Sequence, residues 1–327
     1  MFRLKSIVLM LLVSLSLLAV ACDSPSPSPT ATSAPAAQPT ATVAAATATA
    51  VVPTAVPTPS LFPYRVTDSD GKEVVFDKAP ERIVSIDSAP VEILFAIGEG
   101  DRIVGTHDFI TYPPETADIA KVGSAFGLNV EQIVALKPDL VFIFSQGNKE
   151  ALEKAGLKVL YLKSLNDDFR AIPDSIRMWG RITGSVDASE TVAADFESRL
   201  KAIEAGMSTR GDGPRAFQDE GDLWTPGPDT LTGAVFRLLK LQNIAYDVSG
   251  YYQMSPETIV SRNPQVIVAS YGDTISKRPG MEKVDAVVNS RIYIPDDDSL
   301  SVPGTRYISG VEKLAKWVYP DLALAGK

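Results

Sequence analysis

Short β-branched segments alternate with helical patterns along most of the chain. In the first half the order is RIVSID, PVEILFAIG, RIVGTH, NVEQIVALK, DLVFIF, EALEKAG and KVLYL. This alternation is typical of βα units on a parallel sheet. A second set runs from RAFQDE through VIVAS and RIYIP to a C-terminal helix around residues 311–318. The pattern predicts an α/β fold with small, mainly parallel sheets, and the length of 327 residues suits two lobes or one large domain.

A long amphipathic helix is predicted between the two sets. Asp187 is a candidate N-cap with Glu190 three positions later, a capping-box arrangement. Apolar residues then recur at helical spacing as far as Met207. About 20 residues at 1.5 Å each span ~30 Å, which suits a strut between lobes. An ordinary helix on one lobe is the alternative.

The two sets share one repeated segment. NVEQIVALKPDLVFIF, which starts at Asn129, aligns without a gap with SPETIVSRNPQVIVAS, which starts at Ser255, at an offset of 126 residues. Asn129 and Ser255 are predicted helix caps, and Pro256 favours the first helical position. Glu131 and Glu257 follow in the first turn, where a carboxylate stabilises the helix dipole. Capping explains these glutamates, and so does a symmetric docking surface on two similar lobes.

The N-terminus has the pattern of an export signal. Arg3 and Lys5 precede an apolar stretch that ends at Val20, followed by small residues and Cys22. The stretch is shorter than the ~20 residues that span a bilayer, so a permanent transmembrane helix is the weaker interpretation. The segment LAVAC resembles the lipobox of bacterial lipoproteins, in which the cysteine carries lipid. We therefore predict a lipoprotein signal peptide over residues 1–22 and lipidation at Cys22; a stray cysteine in a discarded peptide is the alternative.

The following segment is predicted to be a tether. Residues 24–63 consist mainly of Ser, Pro, Thr and Ala and contain no charged residue. Such a segment lacks the bulky side chains that form a core. The predicted organisation is a tether over residues 23–63, an N-terminal lobe over 64–185, a connecting helix over 186–208 and a C-terminal lobe over 209–327.

Charge and motif content exclude several functions. The formal charge is −9 and Lys and Arg form no cluster, so the chain lacks the basic footprint of a nucleic-acid-binding protein. It contains no G-x-S-x-G, P-loop or dinucleotide motif, which argues against an enzyme and a bound cofactor. Cys22 is the only cysteine and His107 the only histidine, which disfavours a disulfide, a cysteine cluster or a free-metal site.

From Ala79 to Val318 the chain resembles the periplasmic-binding-protein family that delivers cobalamin and ferric siderophores to ABC importers. The densest agreement lies in APERIVSIDSAPVEILFAIGEGDRIVGTHDFITYPPE and GLNVEQIVALKPDLVFIF, and it is closest to the cobalamin-binding member. The resemblance implies two α/β lobes joined by one long helix, with the ligand in the cleft between them. It also implies a monomer outside the cell whose Glu131 and Glu257 pair with arginines of the importer's permease dimer.

The resemblance places ligand-binding residues on loops that follow the strands. On the first lobe they are Phe109, Tyr112, Phe126, Phe144, Ser145 and Gln146. On the second lobe they are Trp224, Tyr251, Tyr252, Tyr271 and Arg306. Aromatic rings suit a broad flat chelate or macrocycle, although each could equally pack within its lobe. Where the cobalamin-binding member has a tryptophan before its first docking glutamate, this chain has Ala125 beside Phe126, and its loop DDDSLSVPGTR has no aromatic residue.

The nature of the cleft favours cobalamin or a related corrinoid as the transported ligand. Ferric siderophores are often anionic and require a basic cleft, whereas Arg306 is the one arginine that we place there. His107 ends the segment RIVGTH and is either a structural residue or an axial ligand of a haem or cobalamin metal. A ferric siderophore or haem is the alternative cargo. The predicted protein is a lipoprotein of an ABC importer, held on the membrane in the periplasm or at the outer face. A sensor and a stalked adhesion module are further alternatives.

Overall fold

The computed structural model describes residues 60–324 of the chain. The predicted signal peptide, the predicted lipidation site at Cys22 and almost all of the predicted tether lie outside these residues. Within them, no helix combines the length and the apolar character that crossing a membrane requires.

Strands and helices alternate through the described residues, as the pattern predicts. The strands are β1 (Tyr64–Thr67), β2 (Glu73–Phe76), β3 (Ile83–Ser85), β4 (Ile103–Thr106), β5 (Ala120–Lys121), β6 (Gly123–Ser124), β7 (Gly127–Leu128), β8 (Leu140–Ile143), β9 (Val159–Tyr161), β10 (Arg215–Asp219), β11 (Trp224–Pro226), β12 (Gln242–Asn243), β13 (Tyr251–Gln253), β14 (Val266–Ala269) and β15 (Ile292–Tyr293). The α-helices are α1 (Ser88–Ala96), α2 (Val130–Ala135), α3 (Lys149–Lys154), α4 (Ile172–Thr183), α5 (Val186–Met207), α6 (Leu231–Leu238), α7 (Pro256–Arg262), α8 (Asp285–Val288) and α9 (Tyr307–Val318). Single 3₁₀ turns lie at Gly100–Arg102, Pro114–Asp118, Gln146–Asn148, Phe169–Ala171 and Met281–Lys283.

The N-terminal lobe is built on a five-stranded parallel sheet in the order β5-β4-β3-β8-β9. Every residue of β3 and β8 is buried, as expected where helices cover both faces of a parallel sheet. The antiparallel hairpin β1-β2 lies beside it. The Lys149 ammonium group fastens the hairpin turn by donating to Asp68 at 2.7 Å and to Asp70.

The C-terminal lobe has a four-stranded parallel sheet in the order β12-β10-β14-β15. All four residues of β14 are buried. A short antiparallel ribbon, β11-β13, follows the carboxyl end of β10. Each lobe is therefore an α/β unit with a small parallel sheet, which confirms the predicted fold class.

Helix α5 connects the two lobes and is 22 residues long, about 33 Å. The helix begins at Val186, so the predicted N-cap at Asp187 is wrong; Ser185 precedes the first helical residue and makes no side-chain cap. The reason lies in the preceding helix, which ends at Gly184 in a left-handed conformation (φ 84°), so the chain re-enters a helix directly after Ser185. Helix α4 packs beside α5, and Arg177 of α4 binds both Glu190 and Glu197 of α5.

One hydrophobic core runs through both lobes. The same cluster contains Ile83 and Leu140 of the first sheet, Phe196 of α5, and Ala216 and Val266 of the second sheet. Two smaller cores lie on the outer faces of the two sheets. The lobes are thus joined by packed side chains as well as by a connecting helix.

Candidate functional site

Loops and helices that follow strands of the two parallel sheets contact each other between the lobes. Open α/β sheets bind ligands at the carboxyl ends of their strands, because the loops that follow the strands meet there. The Arg306 guanidinium, in the loop after β15, lies 3.4 Å from the centre of the Tyr112 ring, in the loop after β4. It also contacts Glu92 of α1, the helix after β3. These contacts place the loops of both lobes around one interlobe cleft.

Arg306 and Glu92 form a buried ion pair between the two lobes. Glu92 Oε1 accepts from Arg306 Nη2 at 2.6 Å and from Nε at 3.2 Å, and Asp298 accepts from the same Nη2 at 2.7 Å. The Glu92 side chain is 1% exposed and that of Arg306 is 17% exposed. Burial raises the pKa of the Glu92 carboxyl, and Arg306 offsets part of that rise. The predicted ligand residue Arg306 is therefore already neutralised by two carboxylates of the protein.

A cavity of about 240 Å³ lies at the strand ends of the N-terminal lobe. Asp87, Phe142 and Trp179 line it, and Pro303 of the C-terminal lobe closes one side. None of the predicted ligand residues lines it. Pockets for drug-sized ligands measure roughly 300–1,000 Å³, so this cavity is too small for a macrocycle. A ligand as large as a corrin has to occupy the open cleft instead.

Aromatic residues in loops of the N-terminal lobe are exposed. Phe109 is 75% exposed and Phe126 is 81% exposed. Phe126 packs edge-on against Phe144 with 6.1 Å between ring centres. Gln146, by contrast, donates to Asp70 in the turn of the first hairpin, where it supports the lobe.

His107 has a structural hydrogen bond. Its Nδ1 accepts from the backbone N–H of Phe109 at 3.1 Å, which places the proton of the neutral ring on Nε2. Burial, together with the nearby Lys121 charge, lowers the pKa of His107 and keeps the ring neutral. Ligation of a metal through Nε2 requires the other tautomer and the loss of this bond, so the geometry favours the structural role.

The aromatic residues of the C-terminal lobe lie on the β11-β13 ribbon and on the loop after β14. Trp224 pairs with Gln253, and Pro226 with Tyr251, in antiparallel register. Tyr252 is half exposed, and Tyr271, which follows β14, is 74% exposed. Both lobes therefore present large apolar side chains that are unusually accessible for a folded protein, which is typical of a binding surface.

The loop between β10 and β11 is strained. Gly221, Asp222 and Leu223 have consecutive positive φ angles of 90°, 49° and 62°. Such conformations cost about 1–3 kcal/mol for each non-glycine residue and cluster at functional sites. The buried Asp219 carboxylate stabilises the loop by accepting from Gly221 N at 3.1 Å and Leu223 N at 2.9 Å. The loop turns the chain sharply so that Trp224 lies beside the end of β10.

Helices α2 and α7 are equivalent, as the repeat predicts. Asn129 accepts from Gln132 N at 3.0 Å and Ser255 accepts from Thr258 N at 3.2 Å, which confirms both predicted caps. Glu131 and Glu257 lie exposed in the first turns. In the part of the chain from residue 60 to 324, neither carboxylate takes part in an ion pair.

The equivalence extends to contacts that the sequence did not reveal. Just after each helix the chain turns at a residue with left-handed φ, Lys137 (50°) and Asn263 (43°). An arginine at the start of a neighbouring strand holds each end: Arg82 donates to the Lys137 carbonyl at 3.2 Å and Arg215 to the Asn263 carbonyl at 2.8 Å. The two helices are therefore held in the same way on both lobes.

Three carboxylates with few solvent contacts escaped the sequence analysis. Glu92 interrupts an otherwise apolar helix, PVEILFA, and that pattern was the available signal for a buried partner. Asp87 and Glu220 follow the first strand of the parallel sheet in their respective lobes, and burial raises the pKa of both. A carboxylate directly after a buried strand was the signal for these two.

The comparisons with known proteins agree with this architecture. A family model described as "Periplasmic binding protein" matches residues 83–299. The chain is 33% identical over 277 residues to the "Uncharacterized ABC transporter substrate-binding lipoprotein YvrC" of Bacillus subtilis (strain 168), covering 80% of this chain and 87% of that protein. It is 30% identical over 272 residues to a "Cobalamin-binding protein" of Halobacterium salinarum (strain ATCC 29341 / DSM 671 / R1), covering 78% of this chain and 73% of that protein. Among solved structures, the periplasmic vitamin B12 binding protein BtuF of Vibrio cholerae is similar, with a TM-score of 0.64, 25% identity and coverage of 73% and 96%.

Proposed function

The chain belongs to the periplasmic binding protein family, and on that basis we propose that its interlobe cleft captures cobalamin or a related corrinoid for an ABC importer. The observation that carries the proposal is the pair of exposed aromatic surfaces at the carboxyl ends of both sheets, around a neutralised arginine. A broad, largely uncharged ligand fits such a cleft. The names of two similar proteins, a cobalamin-binding protein and a vitamin B12 binding protein, support the same choice.

The proposed ligand contacts come from both lobes. Phe109, Tyr112, Phe126 and Phe144 contact the ligand from one side, and Trp224, Tyr251 and Tyr271 from the other. Aromatic side chains supply rigid contact area at low conformational cost. Arg306 contributes by holding Tyr112 under its guanidinium plane, and Gln146 by fastening the hairpin turn.

We propose that Glu131 and Glu257 dock the loaded protein on the permease. Both carboxylates are exposed at helix N-termini of equivalent geometry. Arginine binds a carboxylate through two parallel, charge-assisted hydrogen bonds, so two such pairs fix an orientation. Lipid on Cys22 would keep the protein near the importer, in line with the word lipoprotein in the name of the Bacillus subtilis relative.

The decisive experiment is a visible absorption spectrum of the protein purified from its native host, followed by titration with cobalamin, cobinamide, haem and a ferric hydroxamate. We expect a corrinoid spectrum and saturable binding of cobalamin and cobinamide. A Soret band, or an orange siderophore band with no corrinoid binding, would show that the cargo is a different chelate. Binding of none of the four would remove the corrinoid proposal altogether.

A further inference from the structure

The Arg306 guanidinium group contacts three other segments of the chain. Glu92 of α1, in the N-terminal lobe, accepts from Arg306 Nη2 at 2.6 Å and from Nε at 3.2 Å. Asp298, in the loop after β15 of the C-terminal lobe, accepts from the same Nη2 at 2.7 Å. The Tyr112 ring, in the loop after β4, lies with its centre 3.4 Å from Arg306 Cζ. One cation is therefore shared by two carboxylates and one aromatic ring.

This group of side chains has an excess of negative charge. Two carboxylates are paired with one guanidinium, so one negative charge is left over. The side chain of Glu92 is 1% exposed, whereas that of Asp298 is 51% exposed. Water screens the Asp298 charge and hardly reaches that of Glu92, so Glu92 should have the stronger electrostatic influence on Arg306.

The loop after β15 contains a second cation that is held in the same way. The Lys313 ammonium group donates to Asp296 at 2.7 Å and to Asp297 at 2.8 Å. Arg306 and Lys313 are thus each paired with two carboxylates. Neither basic group offers an uncompensated positive charge to a ligand.

An anionic ligand gains little from an arginine that is held in this way. A ligand carboxylate has to displace Asp298 from Nη2 or approach a group whose net charge is already negative. A neutral amide meets no such repulsion. Tyr112, a proposed ligand contact that is 38% exposed, lies against the guanidinium. Charges act over about 10 Å at 0.1 M salt, so the group influences a ligand that contacts only the Tyr112 ring.

We propose that Glu92 and Asp298 determine the charge specificity of the cleft. By neutralising Arg306 beside Tyr112, they make the cleft select ligands whose peripheral groups are uncharged amides over ligands with carboxylates at the same positions. This inference rests on the proposed corrinoid function, because the side chains around a corrin ring exist either as amides or as acids. Charge then separates two ligands that share one ring.

The test compares cobinamide, which carries amide side chains, with cobyrinic acid, which carries carboxylates. We would titrate both into the wild type, Asp298→Asn and Glu92→Gln. The wild type should bind cobinamide at least about tenfold more tightly, since a hydrogen bond to a charged group is worth that factor or more. Asp298→Asn should lower this ratio roughly threefold, because an exposed ion pair is weak. Glu92→Gln should lower it about tenfold and still offers Arg306 an acceptor oxygen.

Asp321→Asn is the matched control. Asp321 accepts from Arg210 at 2.7 Å, the same distance as in the pair of Asp298 with Arg306, and its side chain is 74% exposed. It follows helix α9, whereas Arg306 precedes that helix, so about 18 Å of helix separates the two pairs. The control changes the net charge by the same amount as Asp298→Asn and should keep the wild-type ratio.

The salt dependence of binding separates an effect of charge from an effect of structure. A rise in NaCl from about 0.02 to about 0.5 M should improve the affinity of the wild type for cobyrinic acid, because salt screens the repulsion. The affinity for cobinamide should stay nearly constant. Variants that weaken both ligands by the same factor at each salt concentration would show that the two carboxylates are structural, and would overturn the proposal.

A wild-type ratio near one, or a ratio that neither variant changes, would also overturn charge selection while leaving corrinoid binding in place. If the wild type binds neither corrinoid, the function proposed above fails. Haem and its dimethyl ester then replace the two corrinoids, because they differ in the charge of two propionates. Charge selection predicts tighter binding of the ester and a smaller preference in Asp298→Asn, and equal binding would overturn it. A wild type that binds none of the four refutes both proposals.

Discussion

The two lobes share one helix and strand unit but differ in the loops beside it. Helix α2 with β8 and helix α7 with β14 agree in their N-caps, in the left-handed residue that follows each helix and in the arginine that binds there. After the first strands the lobes diverge. Asp87 begins a helix in one lobe, whereas Glu220 precedes a strained loop and the β11-β13 ribbon in the other.

The shared unit and the divergent loops suit two different kinds of contact. The shared unit presents an exposed carboxylate at a fixed orientation, which suits a partner that contacts both lobes in the same way. The loops at the cleft have no such need, because the two faces of one ligand differ chemically. The two lobes are thus alike in the region where we propose docking, and they differ in the region where we propose ligand binding.

Removal of both docking carboxylates should have the strongest effect. Glu131→Ala combined with Glu257→Ala should reduce uptake by roughly 100- to 10⁴-fold, because each charge-assisted pair contributes about 1.5–3 kcal/mol. Ligand affinity should stay at the wild-type value, since both residues lie outside the cleft contacts. Uptake into vesicles with reconstituted permease, beside a ligand titration, measures the two quantities separately.

The symmetry of the two lobes makes this prediction sharper. The two single substitutions, Glu131→Ala and Glu257→Ala, should reduce uptake by similar factors. Glu150→Ala should leave uptake unchanged. Normal uptake by the double variant would refute the docking role. A strong effect from one glutamate alone would mean that the permease contacts the two lobes differently.

A smaller effect is expected from the ion pair that crosses between the lobes. Glu92→Ala leaves Arg306 between the lobes with only the half-exposed Asp298, and breaking a buried pair costs about 3–5 kcal/mol. We expect a loss near the lower end, about 3 kcal/mol, in the free energy of unfolding measured with urea. Glu150→Ala, which breaks an exposed pair with Lys154, should cost no more than ~0.5 kcal/mol. Equal losses in the two variants would show that the interlobe pair is dispensable.

The smallest expected effect is a difference in the free energy of unfolding between variants of the two equivalent carboxylates, Asp87 and Glu220. Asp87→Ala removes a helix cap and should cost about 1 kcal/mol, whereas Glu220→Gln should raise stability at neutral pH. Burial raises the pKa of Glu220 above its ordinary 4.5, so its contribution to stability is full below that pH and is lost as the pH rises through the raised pKa. Glu220→Gln should not lose stability in this way as the pH rises, because glutamine does not ionise.

Urea unfolding at a series of pH values from about 4 to 8 measures this contrast. The wild type and Glu220→Gln should have similar stability at the acid end and separate as the pH rises. If Glu220→Gln is less stable than Asp87→Ala at pH 7, then Glu220 is a structural residue like its counterpart.

Local patterns predicted much of the molecule. The family and the fold class are confirmed, and so are the caps at Asn129 and Ser255, because a helix start depends on residues that are close in sequence. The cap at Asp187 was wrong because the preceding helix, which ends at Gly184, fixes where α5 begins. The ligand contacts of Phe109, Trp224 and their neighbours stay predictions.

Contacts between residues that are far apart in the sequence could not be predicted. Arg306 was assigned to the ligand, yet its partner Glu92 lies 214 residues away, and no local pattern joins the two. The roles of Asp87 and Glu220 likewise depend on whether a helix or a loop packs beyond the end of each strand. Polar contacts between distant segments arise from the packing of whole lobes, and a single sequence carries no record of that packing.

The hydrophobic core that runs through both lobes has a mechanical consequence. Because Phe196 and its neighbours form one core across both lobes, we expect the lobes to move little relative to each other. Full and empty molecules then present nearly the same outline to an importer. An importer would then have to distinguish the loaded protein by contacts with the bound ligand itself. Release of the ligand would depend on changes that the importer makes to the cleft.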